Sequence, residues 1–379
     1  MKRLCGLLLL VALGGCQEKY VANVHLPATG FLVVEGFINV GAGSTTIRLT
    51  KATGLDSIYI NPESGAYVEV ESQSGASYPL SQIAAGVYSV DQLPIDVSQQ
   101  YRIHIKTSVG NDYVSDYSAV KITPPIDSVS YTIGNDAANL FVSTHDDQNK
   151  TLYYQWQFAE TWQYHAGYDS YLEYINGSLI ARPPEDATYT CWRSDSSTDI
   201  LIASSAKLKS DVIANFHITS LFYSANDKLS ARYSILVTQI ALTQEWYEWK
   251  EKIQKNTGQL GSIFDAQPSE TGGNIHNTAN SGETVIGYVG CTSQTQLRIF
   301  IDRSQLPQNT SVFNGYANCQ LDSIKSLDPA ALAIHLNSYA VPTDYILTMG
   351  RASGVLASDV GCVDCRQQGG KTSKPDFWQ

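Results

Sequence analysis

The sequence predicts a mainly β chain, with a small N-terminal β-sandwich and then a larger β-sandwich-like region carrying one helix near 243–256. Three observations carry this. Tyrosine is abundant, at 23 residues, while only 16% of the chain is charged, the balance of an exported β protein. Apolar residues recur with a period of two in short runs separated by turn signals. A helical period appears clearly only once.

The first sixteen residues, "MKRLCGLLLLVALGGC", carry Lys2 and Arg3, then an apolar run from Leu7 to Leu13, then small residues ending at Cys16. The run is well short of the roughly 20 residues a membrane-spanning helix needs, so it reads as an export signal. Leu13-Gly14-Gly15-Cys16 resembles a bacterial lipobox, in which Cys16 is acylated and becomes the mature N-terminus. Residues 1–15 are then a lipoprotein signal peptide and 16–29 a lipidated tether. Gln17, where an Asp would favour the inner membrane, implies an outer-membrane destination. No later segment is apolar enough to span, so attachment would be through lipid alone. Losing Lys2 and Arg3 takes the formal charge from −11 to −13. So acidic a surface repels phosphate backbones, which disfavours nucleic acid as a partner.

From Gly30 to Thr123 one strand follows another. In "YRIHIKT", Tyr101, Ile103 and Ile105 alternate with Arg102, His104 and Lys106, burying one face and wetting the other. His104 is read as a solvated residue of the polar face. "ITPPIDSV", Ile122 to Val129, marks a boundary, because consecutive prolines hold the chain extended between modules. The expected domains are therefore 30–123 and 124–379.

The second region opens on "NLFVSTHDD" and an aromatic-rich stretch containing Trp156, Trp162 and Tyr164. Alternating aromatics on a strand fill a sandwich core or form a sugar- or peptide-stacking platform, and these three are the candidate ligand contacts. His145, Asp146 and Asp147 before Asn149 read as a polar turn rather than a metal site. Thr243 can cap a helix that puts Trp246, Trp249 and Ile253 on one side, with Gly258 past its end. In the loop that follows, Asp265, Glu270 and His276 could converge on a substrate or ion, or serve only to cap the helix and satisfy the loop's own backbone. No metal site, cofactor motif or catalytic signature is read elsewhere.

Beyond Cys16, the cysteines are Cys191, Cys291, Cys319, Cys362 and Cys365, an odd number, so at least one is unpaired. Cys362-x-x-Cys365 lacks the second Cys or His pair that zinc would want. It is also followed by Gly369-Gly370 and Pro375 rather than by a thioredoxin-like helix. The expectation is a structural disulfide using at least one of Cys362 and Cys365, fastening a tail whose Phe377 and Trp378 dock on the body. Pairing across two residues and bonding to Cys319 or Cys191 are both open.

Several stretches taken together resemble a known family. "VVEG" at 33–36, "THDD" with "YYQWQFAETW" at 153–162, "GSIFDAQPSETGGNIHN" at 261–277, "VIGY" at 285–288 and "CVDCRQQGG…KPDFW" look like the Bacteroidota lipoproteins classified as a domain of unknown function. The resemblance implies an immunoglobulin-like or transthyretin-like N-terminal domain and genes beside TonB-dependent outer-membrane receptors; the larger second region is expected to be fibronectin-type-III-like. It brings no activity, catalytic residue or cofactor. Asp-Ser-Ile/Val triplets at Asp56, Asp127 and Asp322 also resemble the O-glycosylation signal of that phylum. The function expected is a non-catalytic cell-surface lipoprotein, an accessory or peptide- or glycan-binding subunit of a TonB-dependent system. The alternatives are an exported hydrolase working through Asp265, Glu270 or His276, and an adhesin or structural spacer.

Overall fold

The computed structural model describes residues 30–53, 59–258, 272–337 and 339–378. The expected signal peptide and tether, with Cys16, and Asp56, Asp265 and Glu270 lie outside the described residues. The chain is mainly β, as its composition implies. Its strands begin with β1 (Leu32–Asn39), β2 (Thr45–Lys51), β3 (Asn61–Pro62), β4 (Tyr67–Ser72), β5 (Ser77–Ala84), β6 (Val87–Val90), β7 (Gln100–Lys106), β8 (Asp112–Ser115) and β9 (Ser118–Lys121). Beyond the proline pair come β10 (Ile126–Ile133), β11 (Ala137–His145), β12 (Tyr153–His165), β13 (Leu172–Ile175), β14 (Ser178–Ala181), β15 (Thr190–Ser196), β16 (Leu201–Ser204), β17 (Val212–Phe222) and β18 (Arg232–Ala241). Helix α1 (Gln244–Gly258) precedes β19 (Ile275–Asn277), β20 (Cys291–Thr292) and β21 (Gln294–Asp302). The chain finishes with β22 (Asp322–Ile324), α2 (Pro329–His335), β23 (Ala340–Thr348), β24 (Arg351–Asp359) and α3 (Val360–Val363).

In the first region β7, β4, β5, β6, β2, β1, β20 and β9 pair in that order, and β9 pairs back to β7. An eight-stranded barrel-like sheet results. The expected immunoglobulin-like or transthyretin-like sandwich is not confirmed, and the closed sheet points to another β fold. The physical reason is β20, which pairs in parallel with β1 (Ile38↔Cys291) and with β9 (Cys291↔Val120), leaving neither edge open. Alternation is as expected within the strands. Tyr101, Ile103 and Ile105 join Ile47, Leu49, Val68 and Val70 in the barrel core, together with Ile275, Val285, Val289 and Cys291 from the far side of the proline pair.

In the second region β10, β11 and β17 form one antiparallel sheet, and β15, β12, β18 and β21 form another, with β16 on the first part of β12. Their facing side chains make the largest core, which includes Leu140, Val142, Trp156, Ile235 and Val237. The junction is firmly held, since the Pro124 carbonyl accepts from Gln239 Nε2 at 2.9 Å and from Thr295 Oγ1 at 3.0 Å. Thr123 Oγ1 accepts from the Ala241 N–H at 2.9 Å. Two prolines without N–H groups leave carbonyls that the sandwich side chains satisfy.

Helix α1 starts as its sequence dictates, with the Trp246 N–H donating to the capping Thr243 Oγ1 at 3.2 Å. It includes Gly258 instead of stopping before it. Among the described residues no helix is long and apolar enough to cross a membrane. A third, small core gathers Leu172, Ile324, Leu332, Leu336 and Val355 between the β13–β14 hairpin, α2 and the β22–β24–β23 sheet.

Two disulfides fasten this end of the chain, Cys191–Cys365 and Cys319–Cys362. Both tail cysteines therefore bond to the body and not to each other, and Cys291 is free and buried. Trp378 is buried edge-on against Trp192 and Phe300, and Phe377 lies under the Arg298 guanidinium, 3.6 Å from its ring centre.

Candidate functional site

Where barrel, sandwich and α1 meet there is a cleft of about 380 Å³, within the range of small-ligand sites. Val33–Gly36 of β1, Ile286–Tyr288, Gln155 of β12 and the inner face of α1 line it. The backbones approach closely because glycine allows it. Val34 N–H donates to the Ile286 carbonyl at 2.8 Å and Ile286 N–H to the Leu32 carbonyl at 2.9 Å. A Cβ on Gly287, at φ +141°, would fall 2.2 Å from the Val34 oxygen.

Trp246 lies flat on Gly290 and stacks on Tyr288, with ring centres 5.7 Å apart and planes 9° apart. Trp249 leans over the same tyrosine at 6.0 Å, and Lys250 Nζ sits 5.3 Å from the Trp249 ring centre. A Cβ on Gly290 would fall 2.3 Å from the Trp246 ring. Gly290→Ala is therefore expected to lift α1 from the barrel and cost about 1–3 kcal/mol, read as a lower midpoint in urea unfolding.

The polar groups of the cleft are incompletely met. Gln155 is 4% exposed, and its Oε1 has no hydrogen-bond donor among the described residues. Trp246 is 3% exposed, and its Nε1–H has no acceptor among them. Burial pushes the Lys250 ammonium below its ordinary pKa, against the pull of Glu35. Lys250 makes no ion pair among the described residues. Buried polar atoms of native proteins normally find partners. An aromatic wall, a desolvated cation, a free acceptor and a free donor together suit a partly apolar molecule that carries an anionic group.

The sequence-predicted candidates within the described residues do not gather here. Trp156, Trp162 and Tyr164 are 0%, 6% and 1% exposed, and their polar atoms are engaged internally. Trp156 Nε1 donates to Gln239 Oε1 at 2.8 Å, Trp162 Nε1 to Asp227 Oδ1 at 2.9 Å, and Tyr164 Oη to the Cys365 carbonyl at 2.6 Å. These three rings are core and not an exposed platform: Trp156 stacks on Phe216 of β17, Trp162 lies under Lys228 and Arg193, and Tyr164 lies under Arg193 and against the C-terminal tail. His276 sits on β19, exposed, 3.4 Å from Asp116 and away from the cleft. Its suggested companions Asp265 and Glu270 are outside the described residues. Asp146 accepts from the N–H groups of Gln148, Lys150 and Thr151, which makes the polar turn.

The cleft residues stand in the sequence without a pattern that marks them as one site. Helical spacing puts Trp246, Trp249 and Ile253 on one face, while "VVEG" and "VIGY" begin 252 positions apart. The signal that unites them is a parallel bridge between Val33 and Ile286, which no local pattern encodes.

Comparison with known proteins adds the family. No match is found among curated proteins. The family model described as Domain of unknown function (DUF4249) matches residues 17–298, about three quarters of the chain. The matched span contains the barrel, α1, every side chain named in the cleft and most of the sandwich, and stops within β21. With a match of that extent, the chain belongs to the DUF4249 family.

Proposed function

We propose that the protein is a non-catalytic Bacteroidota lipoprotein, anchored in the outer membrane through lipid on Cys16. It captures a small anionic ligand, such as a peptide or glycan fragment, as an accessory subunit of a TonB-dependent transport system. The junction cleft is the observation that carries the reading. Its aromatic wall offers the apolar face that sugars and peptide side chains stack on, while Lys250 offers the charge that a carboxylate would neutralise. A structural spacer has no need of one cleft that holds a desolvated lysine and two polar atoms unmet among the described residues, so the binding reading is favoured over that one.

Native mass spectrometry of the full chain with a library of short peptides, free or amidated at the C-terminus, tests the ligand class. Free carboxylates should be retained. Lys250→Met should weaken their binding by roughly 10- to 100-fold, the worth of a hydrogen bond to a charged group, and Trp249→Ala should weaken both sets. Equal retention of free and amidated peptides by wild type and Lys250→Met would rule out the charge-reading role. Turnover of any bound peptide would favour the hydrolase instead. Palmitate labelling of wild type but not Cys16→Ala, and recovery with a large β-barrel protein from outer membranes, test the anchor and the partner.

A further inference from the structure

The outer face of the barrel holds a second constellation, remote from the cleft. β4 and β7 pair so that Glu69 lies opposite His104 and Glu71 opposite Arg102. Their outward side chains share the polar face. His104 Nδ1 lies 3.0 Å from Glu69 Oε1 and 3.0 Å from Glu71 Oε1. The three ligand atoms lie within 4.8 Å of one another. Donors that sit roughly 2.1 Å from a shared ion are separated by roughly 3.0–3.4 Å, depending on geometry. The imidazole-to-carboxylate distances are already of that size.

The far side of each candidate ligand is held by another group. Glu69 Oε2 accepts from the Tyr67 hydroxyl at 3.0 Å and from the Ser77 hydroxyl. Glu71 Oε2 accepts from Arg102 Nε at 2.7 Å. His104 Nε2 lies 2.7 Å from Asp112 Oδ1, and a proton there leaves the Nδ1 lone pair facing the two glutamate oxygens. A carboxylate behind a ligating imidazole, with every ligand oriented from outside, is the usual support of a metal centre. The side chains of Glu69, Glu71 and His104 are 12%, 22% and 23% exposed, so an ion would keep open positions toward solvent.

We propose that Glu69, Glu71 and His104 form a binding site for a divalent transition-metal ion of the Zn²⁺ class, with Asp112, Arg102 and Tyr67 orienting the ligands. One imidazole and two carboxylates favour such an ion over Ca²⁺ or Mg²⁺, which prefer oxygen throughout. The competing state is a protonated His104 bridging the same carboxylates with no metal.

Titration of the chelator-stripped full chain with Zn²⁺ by calorimetry at neutral pH decides between them. The expected result is one ion per chain, a higher thermal midpoint with Zn²⁺, and visible absorption bands with Co²⁺. His104→Ala and Glu71→Gln should each weaken Zn²⁺ binding by more than tenfold, and the supporting variant Asp112→Asn by about tenfold. Absence of Zn²⁺ heat and of Co²⁺ bands in the wild type would overturn the proposal, as would affinities unchanged in His104→Ala and Glu71→Gln. Should one ligand variant fail to fold, the other, Asp112→Asn and the wild-type Co²⁺ spectrum still decide the question.

Discussion

Replacing Cys191 and Cys365 together by serine is expected to lower the stability of the oxidised protein by about 3–5 kcal/mol, the larger of the two disulfide effects. The bridge closes a separation of 174 residues and Cys319–Cys362 one of 43, so cutting the first releases more freedom in the unfolded chain. It also removes a buried sulfur pair from the main core, where Cys191 and Cys365 are both fully covered. Local hydrogen bonds would still tether the tail. Cys365 N–H donates to the Thr188 carbonyl at 2.9 Å, and Tyr164 Oη to the Cys365 carbonyl at 2.6 Å. The doubly substituted chain should therefore fold, with Trp378 still covered in buffer and released early in urea. Urea unfolding followed by tryptophan fluorescence, beside the Cys319→Ser/Cys362→Ser pair, measures the order. Equal losses for the two pairs would contradict the loop-length explanation. A mass map should link Cys191 to Cys365 and Cys319 to Cys362. Burial pushes the Cys291 thiol up to about 12, so it should be alkylated only after unfolding.

The sequence made legible whatever depends on neighbours in the chain. Period-two runs gave the inward set Tyr101, Ile103 and Ile105, and Thr243 marked the start of α1, because alternation and capping are local. Closure of the barrel was not legible. It depends on β20, two residues long and paired in parallel with strands far away in sequence. The same limit hid both sites. Trp156 alternates as a core residue or a platform residue would, and only the opposing sheet decides between them. His104 reads as a wetted histidine until the register of β4 on β7 sets Glu69 beside it. Cys362 and Cys365 announced a staple, but their partners are a property of the folded arrangement.

The second large effect is expected at a buried ion pair inside the sandwich. Glu160 of β12 accepts from Lys228 Nζ, and also from Tyr233 Oη at 2.8 Å. Their side chains are unequally covered, at 5% exposure for Glu160 and 19% for Lys228, while Tyr233 is fully buried. Burial and the adjacent carboxylate hold the Tyr233 hydroxyl well above its ordinary pKa, so it remains a donor. Lys228→Met strands a carboxylate that keeps, among the described residues, the Tyr233 hydroxyl as its donor, and should cost about 3–5 kcal/mol. Glu160→Gln leaves an ammonium closer to solvent and above the Trp162 ring, at 5.2 Å, where water and the ring share its charge. Its cost should be smaller, about 2–3 kcal/mol. The double variant Glu160→Gln/Lys228→Met removes both charges and should recover most of the loss, since an uncompensated charge costs more than an absent pair. Denaturant midpoints of the four proteins form the cycle. Strictly additive losses would mean that the two charges do not interact, and a larger loss for Glu160→Gln than for Lys228→Met would mean that burial does not set the order.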